Sequence, residues 1–146
     1  MKITEIRIGR ISVPLRVPFK TALRSVDSVE DVVFEFHTDT GAVGYGEAPP
    51  TGVITGDTTG SIIGAMQDHI RKVLIGREVD EFENCTRALN GCIVKNTSAK
   101  AAADMALQRP APRQMDEIEI VVAQVETERH RPFEVDRNGG SVDHLH

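Results

Sequence analysis

Aromatic residues are scarce in this sequence. It has no tryptophan, one tyrosine and five phenylalanines, so they make up only 4% of its 146 residues, and aliphatic side chains must supply most of any core. It also has no apolar run near the ~20 residues that a membrane-spanning helix needs. The first six residues alternate apolar and polar side chains, unlike the apolar segment of a secretory signal. We therefore expect a cytoplasmic protein with no membrane partner.

Cysteine is almost absent as well, since Cys85 and Cys92 are the only two. Their C-x6-C spacing is not a zinc pattern, and no second Cys/His pair is placed to complete one. Residues seven apart share one face of a helix, so we predict that both are small buried side chains. A disulfide between them is not expected in a reducing compartment.

Basic residues are outnumbered, and the formal net charge is −5. Nucleic acids and anionic membranes both reward clustered lysine and arginine, so neither is an expected partner. The sequence has no G-x-S-x-G nucleophile motif, no P-loop and no i, i+4 histidine pair. The acidic run Asp116, Glu117 and Glu119 is interpreted as a solvated face, and His144 and His146 as a loose terminal tract. These patterns predict no catalytic and no metal-binding residue.

The first half of the sequence has the alternation that is typical of strands. We predict a first strand over residues 3–13, a second over 29–38 and a third over Ala42–Ala48, because β-branched and aromatic side chains dominate them. Residues 17–28 are predicted to form a long loop. Since the next connection is short, the strands should pair as an antiparallel meander.

Proline and glycine mark special positions in these strands. Pro14 and Pro18 should interrupt the first strand, because proline cannot donate to a sheet ladder. Gly41 lies in the turn before the third strand, where it can adopt a positive φ. Gly44 and Gly46 would weaken an ordinary strand, so they indicate a bulge or the close approach of another backbone.

Helical periodicity follows the strands. The first predicted helix is capped by Asp57, Thr58 or Thr59 and ends at Gly76. Its apolar face is formed by residues at three- and four-residue steps, namely Ile62, Ile63, Met66, Ile70, Val73 and Leu74.

Two more helices complete the predicted layer. The first, over residues 80–89, should direct Phe82, Cys85 and Leu89 inward and end near Gly91. Residues 98–107 are rich in alanine and favour a helix with a narrow face that another element can approach closely. The predicted fold class is therefore α+β, a three-stranded antiparallel sheet packed on a helical layer.

Two local strings identify a family by resemblance. Residues 44–49, Gly-Tyr-Gly-Glu-Ala-Pro, resemble the G-x-G-E-A-x-P element of the mandelate racemase and muconate lactonizing branch of the enolase superfamily. Residues 95–107 are similar to the alanine-rich A-K-A-A-x-D-x-A-L helix of that branch. Both occur in the order expected of its N-terminal capping domain, so the resemblance covers residues 1–107.

Two further strings are similar to the capping loops of dipeptide (L-Ala-D/L-Glu) epimerases within that branch. They are residues 18–24 and 50–57, and in that family these loops close over the barrel mouth and select the substrate. The resemblance implies that Arg24 grips a substrate carboxylate and that Thr51 and Ile54 line the pocket. A solvated loop charge is the alternative for Arg24. Phe19 either walls the pocket or packs the loop down, and we favour packing.

The resemblance also implies what residues 1–107 do not carry. In the family a lysine or histidine base removes the proton α to a carboxylate while Mg²⁺ stabilises the enolate. The base and the acidic metal ligands belong to a C-terminal barrel, so catalytic residues and a magnesium site are expected only in full-length members. The family activity is that of an isomerase, a racemase or epimerase acting on amino acid derivatives.

Beyond Leu107 the sequence departs from the family pattern, continuing as Gln-Arg-Pro. Residues 108–146 carry five arginines and no lysine, whereas residues 1–107 carry seven arginines and five lysines. We therefore predict a capping domain over residues 1–107 and a non-family, irregular and partly disordered tail over 108–146. Our hypothesis is a truncation or frameshift near residue 107.

Two functions remain open at this point. The chain is either an isolated capping domain, inactive alone and reaching a dipeptide substrate only if a barrel is supplied, or a non-catalytic binding or oligomerisation module. In the second case the exposed cap surface and residues 116–125 would contact a partner or a second copy of the chain.

Overall fold

Three long strands precede a layer of helices, as the sequence predicts. The computed structural model describes residues 1–22, 25–108, 110–112 and 123–124. The long strands are β1 (Ile3–Lys20), β2 (Ser25–Thr38) and β3 (Ala42–Ala48). They pair antiparallel in chain order, which confirms the predicted α+β class and its meander.

Two strands of two residues each widen this sheet. β4 (Ala111–Pro112) pairs with β3, and β5 (Ala123–Gln124) pairs with β1 at Gly9 and Arg10. The strand order across the sheet is therefore β4-β3-β2-β1-β5. Apart from these strands, Gln108 and Pro110, the predicted irregular tail lies outside the described residues, and so do its Asp116, Glu117, Glu119, His144 and His146.

The predicted loop over residues 17–28 is wrong. β1 continues to Lys20 and β2 begins at Ser25, so residues 17–20 and 25–28 belong to the two strands of a long hairpin. Phe19 pairs with Val26, and β-branched side chains recur along both strands. The prolines act locally. The register shifts between Pro14 and Phe19, where five steps along β1 face two steps along β2.

The helices begin and end close to their predicted positions. Thr58 caps the first helix in a capping box with Ser61, whose N–H donates to Thr58 Oγ1 over 3.1 Å. Gly76 follows the end of that helix with a φ of +84°. The helical segments are α1 (Thr59–Ala65), a π-helical turn (Met66–Ile70), α2 (Arg71–Leu74), α3 (Phe82–Gly91) and α4 (Thr97–Gln108).

The core lies between one face of the sheet and the helices. Alternate residues of β2 are fully buried there, and they meet the predicted apolar face of the first helix. Cys85 and Leu89 are buried as predicted, Cys92 is half-buried, and both thiols are free. The inward direction predicted for Phe82 is wrong, since 37% of its surface is exposed. The largest buried side chains of β2 and the first helix are Val32, Phe34, Phe36, Ile62, Met66, Ile70 and Leu74.

Helix α4 packs unusually closely on β3. A Cβ built on Gly44 would lie 1.9 Å from the carbonyl oxygen of Ala106, and one built on Gly46 would lie 1.9 Å from that of Ala102. Both positions therefore require glycine because the helix backbone occupies the space of a side chain. This confirms the close approach predicted from the glycines and from the narrow alanine face.

Candidate functional site

The hairpin formed by β1 and β2 projects beyond the rest of the sheet. β3 pairs with β2 only from Val32 to His37, and Val32 faces Arg10 on β1. Beyond this point residues 11–20 and 25–31 form a two-stranded ribbon, which we call the exposed hairpin. Its β2 strand alone is about 23 Å long at about 3.3 Å per residue.

Apolar side chains on the exposed hairpin face solvent. Phe19 is 59% exposed and Val17 76%, while Val13 and Val29 are about half exposed. A two-stranded hairpin is marginally stable alone in water, and a concentration of exposed apolar side chains marks an interaction surface. The choice between a packing role and a pocket-wall role for Phe19 stays a prediction, and 59% of the residue is exposed on the described hairpin.

A second apolar element leaves the sheet at the same end. β3 runs toward the tip of the hairpin and ends at Ala48, which pairs with Val32 where the hairpin begins to project. Residues 49–57 follow, and we call them the 49–57 loop. Val53 and Ile54 within it are 77% and 74% exposed. The topology thus brings two segments with free apolar side chains to one end of the sheet.

The 49–57 loop has a defined internal geometry. The N–H groups of Ile54 and Thr55 both donate to the carbonyl oxygen of Thr51, over 2.8 and 2.9 Å. The hydroxyls of Thr51 and Thr55 lie 3.0 Å apart. Gly56 allows the sharp exit from this turn with a φ of +81°. At the end of the loop Asp57 is buried and accepts a hydrogen bond from the Ser98 hydroxyl over 2.6 Å.

Three of the four residues predicted to bind substrate belong to the described part of the chain. Phe19 lies on the exposed hairpin, and Thr51 and Ile54 lie in the 49–57 loop, all at one end of the sheet. Arg24 lies outside the described residues. Sequence reasoning missed Asp57 as the anchor of the loop and considered it only as a helix cap, because its partner is 41 positions away.

Charged groups elsewhere in the fold have structural partners. The Arg7 guanidinium donates to Glu5 over 2.9 Å and lowers the pKa of that carboxyl. Burial, and then the charge of Glu47, raises the pKa of Asp31 at the base of the exposed hairpin. Asp31 nevertheless accepts a hydrogen bond from the Val32 N–H over 3.0 Å.

The N-terminal amine is held between two carboxylates at the other end of β1. Hydrogen bonds to Asp80, over 2.8 Å, and to Glu78, over 2.7 Å, raise the pKa of the Met1 amine to about 10. An open cavity of about 510 Å³ lies beside it, lined partly by Phe82 and Leu107. This cavity is remote from the exposed hairpin and the 49–57 loop, because it lies at the start of β1.

The described residues do not fit a magnesium site. Within residues 1–22, 25–108, 110–112 and 123–124, no three histidine, cysteine, aspartate or glutamate side chains come together in a way that would hold a metal ion. In the same part of the chain, no helix has the length and apolar character to cross a membrane.

Comparison with known proteins places this fold in a family. Residues 3–116 match the model of the mandelate racemase / muconate lactonizing enzyme N-terminal domain. An L-Ala-D/L-Glu epimerase from Clostridium acetobutylicum is 54% identical over 107 residues, which are 73% of this chain and 30% of that protein.

Solved structures give the same result. The substrate-liganded L-Ala-D/L-Glu epimerase from Bacillus subtilis matches with a TM-score of 0.71 and 47% identity, over 73% of this chain and 30% of that one. A dipeptide epimerase from Methylococcus capsulatus, complexed with Mg and L-Arg-D-Lys, matches with a TM-score of 0.67 and 31% identity over the same shares. The chain therefore spans about 30% of the length of these relatives. It belongs to the mandelate racemase / muconate lactonizing enzyme family of the enolase superfamily through its N-terminal domain, with L-Ala-D/L-Glu epimerases among its close relatives.

Proposed function

We propose that residues 1–107 are the substrate-capping domain of a dipeptide epimerase-like enzyme and that the chain is inactive by itself. The strongest support is that two apolar segments exposed to solvent, the exposed hairpin and the 49–57 loop, lie at the same end of the sheet. In the family that the sequence resembles, loops at these positions cover the barrel mouth.

The proposed substrate contacts follow from the same two segments. Ile54 and Phe19 offer apolar surface, and Thr51 offers a hydroxyl within a fixed turn. Arg24, between β1 and β2, would grip a substrate carboxylate with its guanidinium, since that group matches a carboxylate with two hydrogen bonds. The substrate class proposed is a dipeptide such as L-Ala-D/L-Glu.

The proton transfer itself would require groups beyond the capping domain. The family chemistry uses a base and Mg²⁺ held at the reacting carbon, and electrostatic stabilisation depends on both being preorganised there. The described residues offer two exposed apolar segments and no magnesium ligand set. We therefore propose that the base and the magnesium ligands of such a dipeptide epimerase would come from a barrel, and that the enzyme acts in the cytoplasm. We propose that the tail, residues 108–146, follows a truncation or frameshift, although the family match continues to residue 116 and so includes the first nine residues of this tail.

The direct test is epimerase activity of the full 146-residue chain. L-Ala-D/L-Glu is incubated with the chain and Mg²⁺ in D₂O, and loss of the α-proton signal is followed by NMR. We expect no exchange above the blank. Mg²⁺-dependent exchange that is lost in Arg24→Ala would contradict the proposal, because the chain would then contain a working site.

The capping role is tested in a chimera. Residues 1–107 replace the matching N-terminal region of the Bacillus subtilis epimerase, which is 47% identical to them. We expect the chimera to epimerise L-Ala-D/L-Glu, and Arg24→Ala to lower kcat/KM by about 10- to 100-fold, as the loss of a charge-assisted contact would. Arg16→Ala is the matched control, because it removes the same charge from an exposed position on the described part of the hairpin.

A second function has support from the exposed apolar side chains. In the described chain the exposed hairpin presents Val17 and Phe19 to solvent, and such a surface binds partners or a second copy of the chain. Sedimentation equilibrium distinguishes the two proposals. A stable dimer that Phe19→Ser abolishes would favour the binding or oligomerisation module.

A further inference from the structure

The start of α4 has an unusual backbone. Lys95 and Asn96, immediately before the helix, have φ values of 55° and 52°. A residue that caps a helix N-terminus normally has an extended backbone, which Asn96 does not. Its side-chain amide donates instead to the carbonyl oxygen of Val94 over 3.0 Å. The first N–H groups of α4 therefore need an acceptor from elsewhere in the chain.

Asp57 provides that acceptor from 41 positions earlier. Its Oδ2 accepts from the Ser98 backbone N–H over 3.3 Å and from the Ser98 hydroxyl over 2.6 Å. Asp57 is 92% buried, since only 8% of its surface is exposed. A carboxylate is favoured at this position because the helix dipole is positive at its N-terminus and because hydrogen bonds to a charged acceptor are strong.

The same residue is connected to the turn inside the 49–57 loop. The Asp57 N–H donates to the Thr55 hydroxyl over 3.3 Å. That hydroxyl lies 3.0 Å from the hydroxyl of Thr51, whose carbonyl oxygen also accepts from the Ile54 N–H. A continuous set of hydrogen bonds thus runs from the N-terminus of α4 through Asp57 to the proposed substrate-facing turn.

Helix α4 is a rigid base for this connection. Its backbone lies directly against β3 at Gly44 and Gly46, and Ala99, Ala102 and Ala106 on its inner face are fully buried. A loop held at Asp57 is therefore held to a helix whose backbone packs directly against the sheet.

We propose that Asp57 is a positioning residue that fixes the 49–57 loop to the N-terminus of α4 and so sets the placement of Thr51 and Ile54. This inference rests on the proposed capping function for its consequence in substrate binding, whereas the mechanical role of Asp57 is independent of it. Asp57 itself does not contact the substrate in this proposal.

The mechanical role is tested by NMR on the full chain. Amide hydrogen exchange of Ile54 and Thr55 is compared with that of β2 and β3 amides in native protein and in Asp57→Asn. We expect the loop amides to exchange about tenfold to a hundredfold faster, the range that corresponds to one charge-assisted hydrogen bond, and the strand amides to change less. Asp39→Asn is the matched control, because Asp39 also accepts a backbone N–H, that of Lys2, at the opposite end of the sheet.

Variants of Ser98 keep the test decisive if Asp57→Asn does not fold. Ser98→Ala removes the 2.6 Å hydrogen bond and leaves the carboxylate in place, so it should accelerate exchange of the loop amides. Ser98→Thr restores the hydroxyl and should restore protection. Equal acceleration of loop and strand amides, or unchanged loop amides beside a lowered Tm, would overturn the proposal, because Asp57 would then only stabilise the fold.

The consequence for function is tested in the chimera with the Bacillus subtilis epimerase. We expect Asp57→Asn to raise KM about tenfold with a smaller change in kcat, since a loosened loop weakens substrate binding before it affects proton transfer. An active chimera in which Asp57→Asn changes neither constant would overturn the link to substrate binding. A chimera that is inactive with Asp57 intact would contradict the proposed function alone, and the exchange experiment would still decide the role of Asp57.

Discussion

Gly46→Ala should be among the most damaging single substitutions in this fold. The added Cβ would lie 1.9 Å from the Ala102 carbonyl oxygen and 2.7 Å from its carbonyl carbon, whereas ordinary contacts begin near 3.4 Å. To reach an ordinary contact distance, α4 and β3 must separate by about 1.5 Å. The atoms in the way belong to backbone, so no side chain can rotate to relieve the overlap.

The loss of stability follows from the gap that this separation would open between α4 and β3. A gap of about 1 Å already forfeits up to half of the dispersion energy of the atoms that face it, and α4 buries five residues on this side. We expect a loss of about 3 kcal/mol, the upper end of the range for overpacked cores. For a domain of about 100 residues, this loss lowers Tm by about 12–24 °C. It is a large part of the total stability of such a domain, about 5–15 kcal/mol.

Thermal unfolding followed by circular dichroism at 222 nm measures this effect. Gly64→Ala is the control, since Gly64 lies in α1 with no atom within 4 Å of an added Cβ. It should raise Tm, because alanine is favoured over glycine in a helix by up to about 1 kcal/mol. If Gly46→Ala unfolded within about 2 °C of the native protein, the close approach of α4 to β3 would be refuted.

Three further predictions concern charge and exposed surface. Burial raises the pKa of Asp31, so the charged carboxylate destabilises the folded state at neutral pH. Asp31→Asn should therefore raise Tm at pH 7, and this gain should vanish below pH 3.8, the ordinary pKa of the group. An equal gain in Tm at pH 7 and below pH 3.8 would contradict this. Hydrogen bonds to Asp80 and Glu78 raise the pKa of the Met1 amine from 8.0 to about 10. Its stabilising effect is therefore complete below pH 8 and is lost as the pH rises through 10. NMR titration of the amine should give a pKa of about 10, and Asp80→Asn should lower this pKa. Replacing Val17 and Phe19 by serine should leave Tm within about 2 °C while lowering the fluorescence of a bound apolar dye, whereas a large fall in Tm would mean that these side chains pack in the fold.

Features set by neighbouring residues were predictable from the sequence. The capping box at Thr58, the positive φ of Gly76 and the buried stripe of the first helix depend on residues within a turn or two of one another. The approach of α4 to β3 was also predictable, because glycines in a strand and alanines along a helix have few other joint explanations.

Features set by distant partners were not predictable. Residues 17–28 contain two kinds of signal, since Pro18 opposes a strand whereas Val17 and Val26 favour one. Only the pairing of β1 with β2 decides between them. Asp57 has the composition of an ordinary helix cap, and its contact with Ser98 depends on the tertiary fold. The exposure of Phe19 is likewise a result of how far the hairpin extends past β3.

The prolines of the exposed hairpin determine how it can meet a partner. A ribbon with unpaired edges invites strand addition and aggregation, and natural proteins oppose this with proline and with bulges at the edge. Pro14 and Pro18 have no N–H to offer a new strand, and the register shift between Pro14 and Phe19 distorts the same edge. A molecule that docks along the β1 edge must therefore recognise side chains, whereas the β2 edge over residues 25–31 has no proline and extends beyond its pairing with β3, so strand addition is opposed on one edge of the ribbon only.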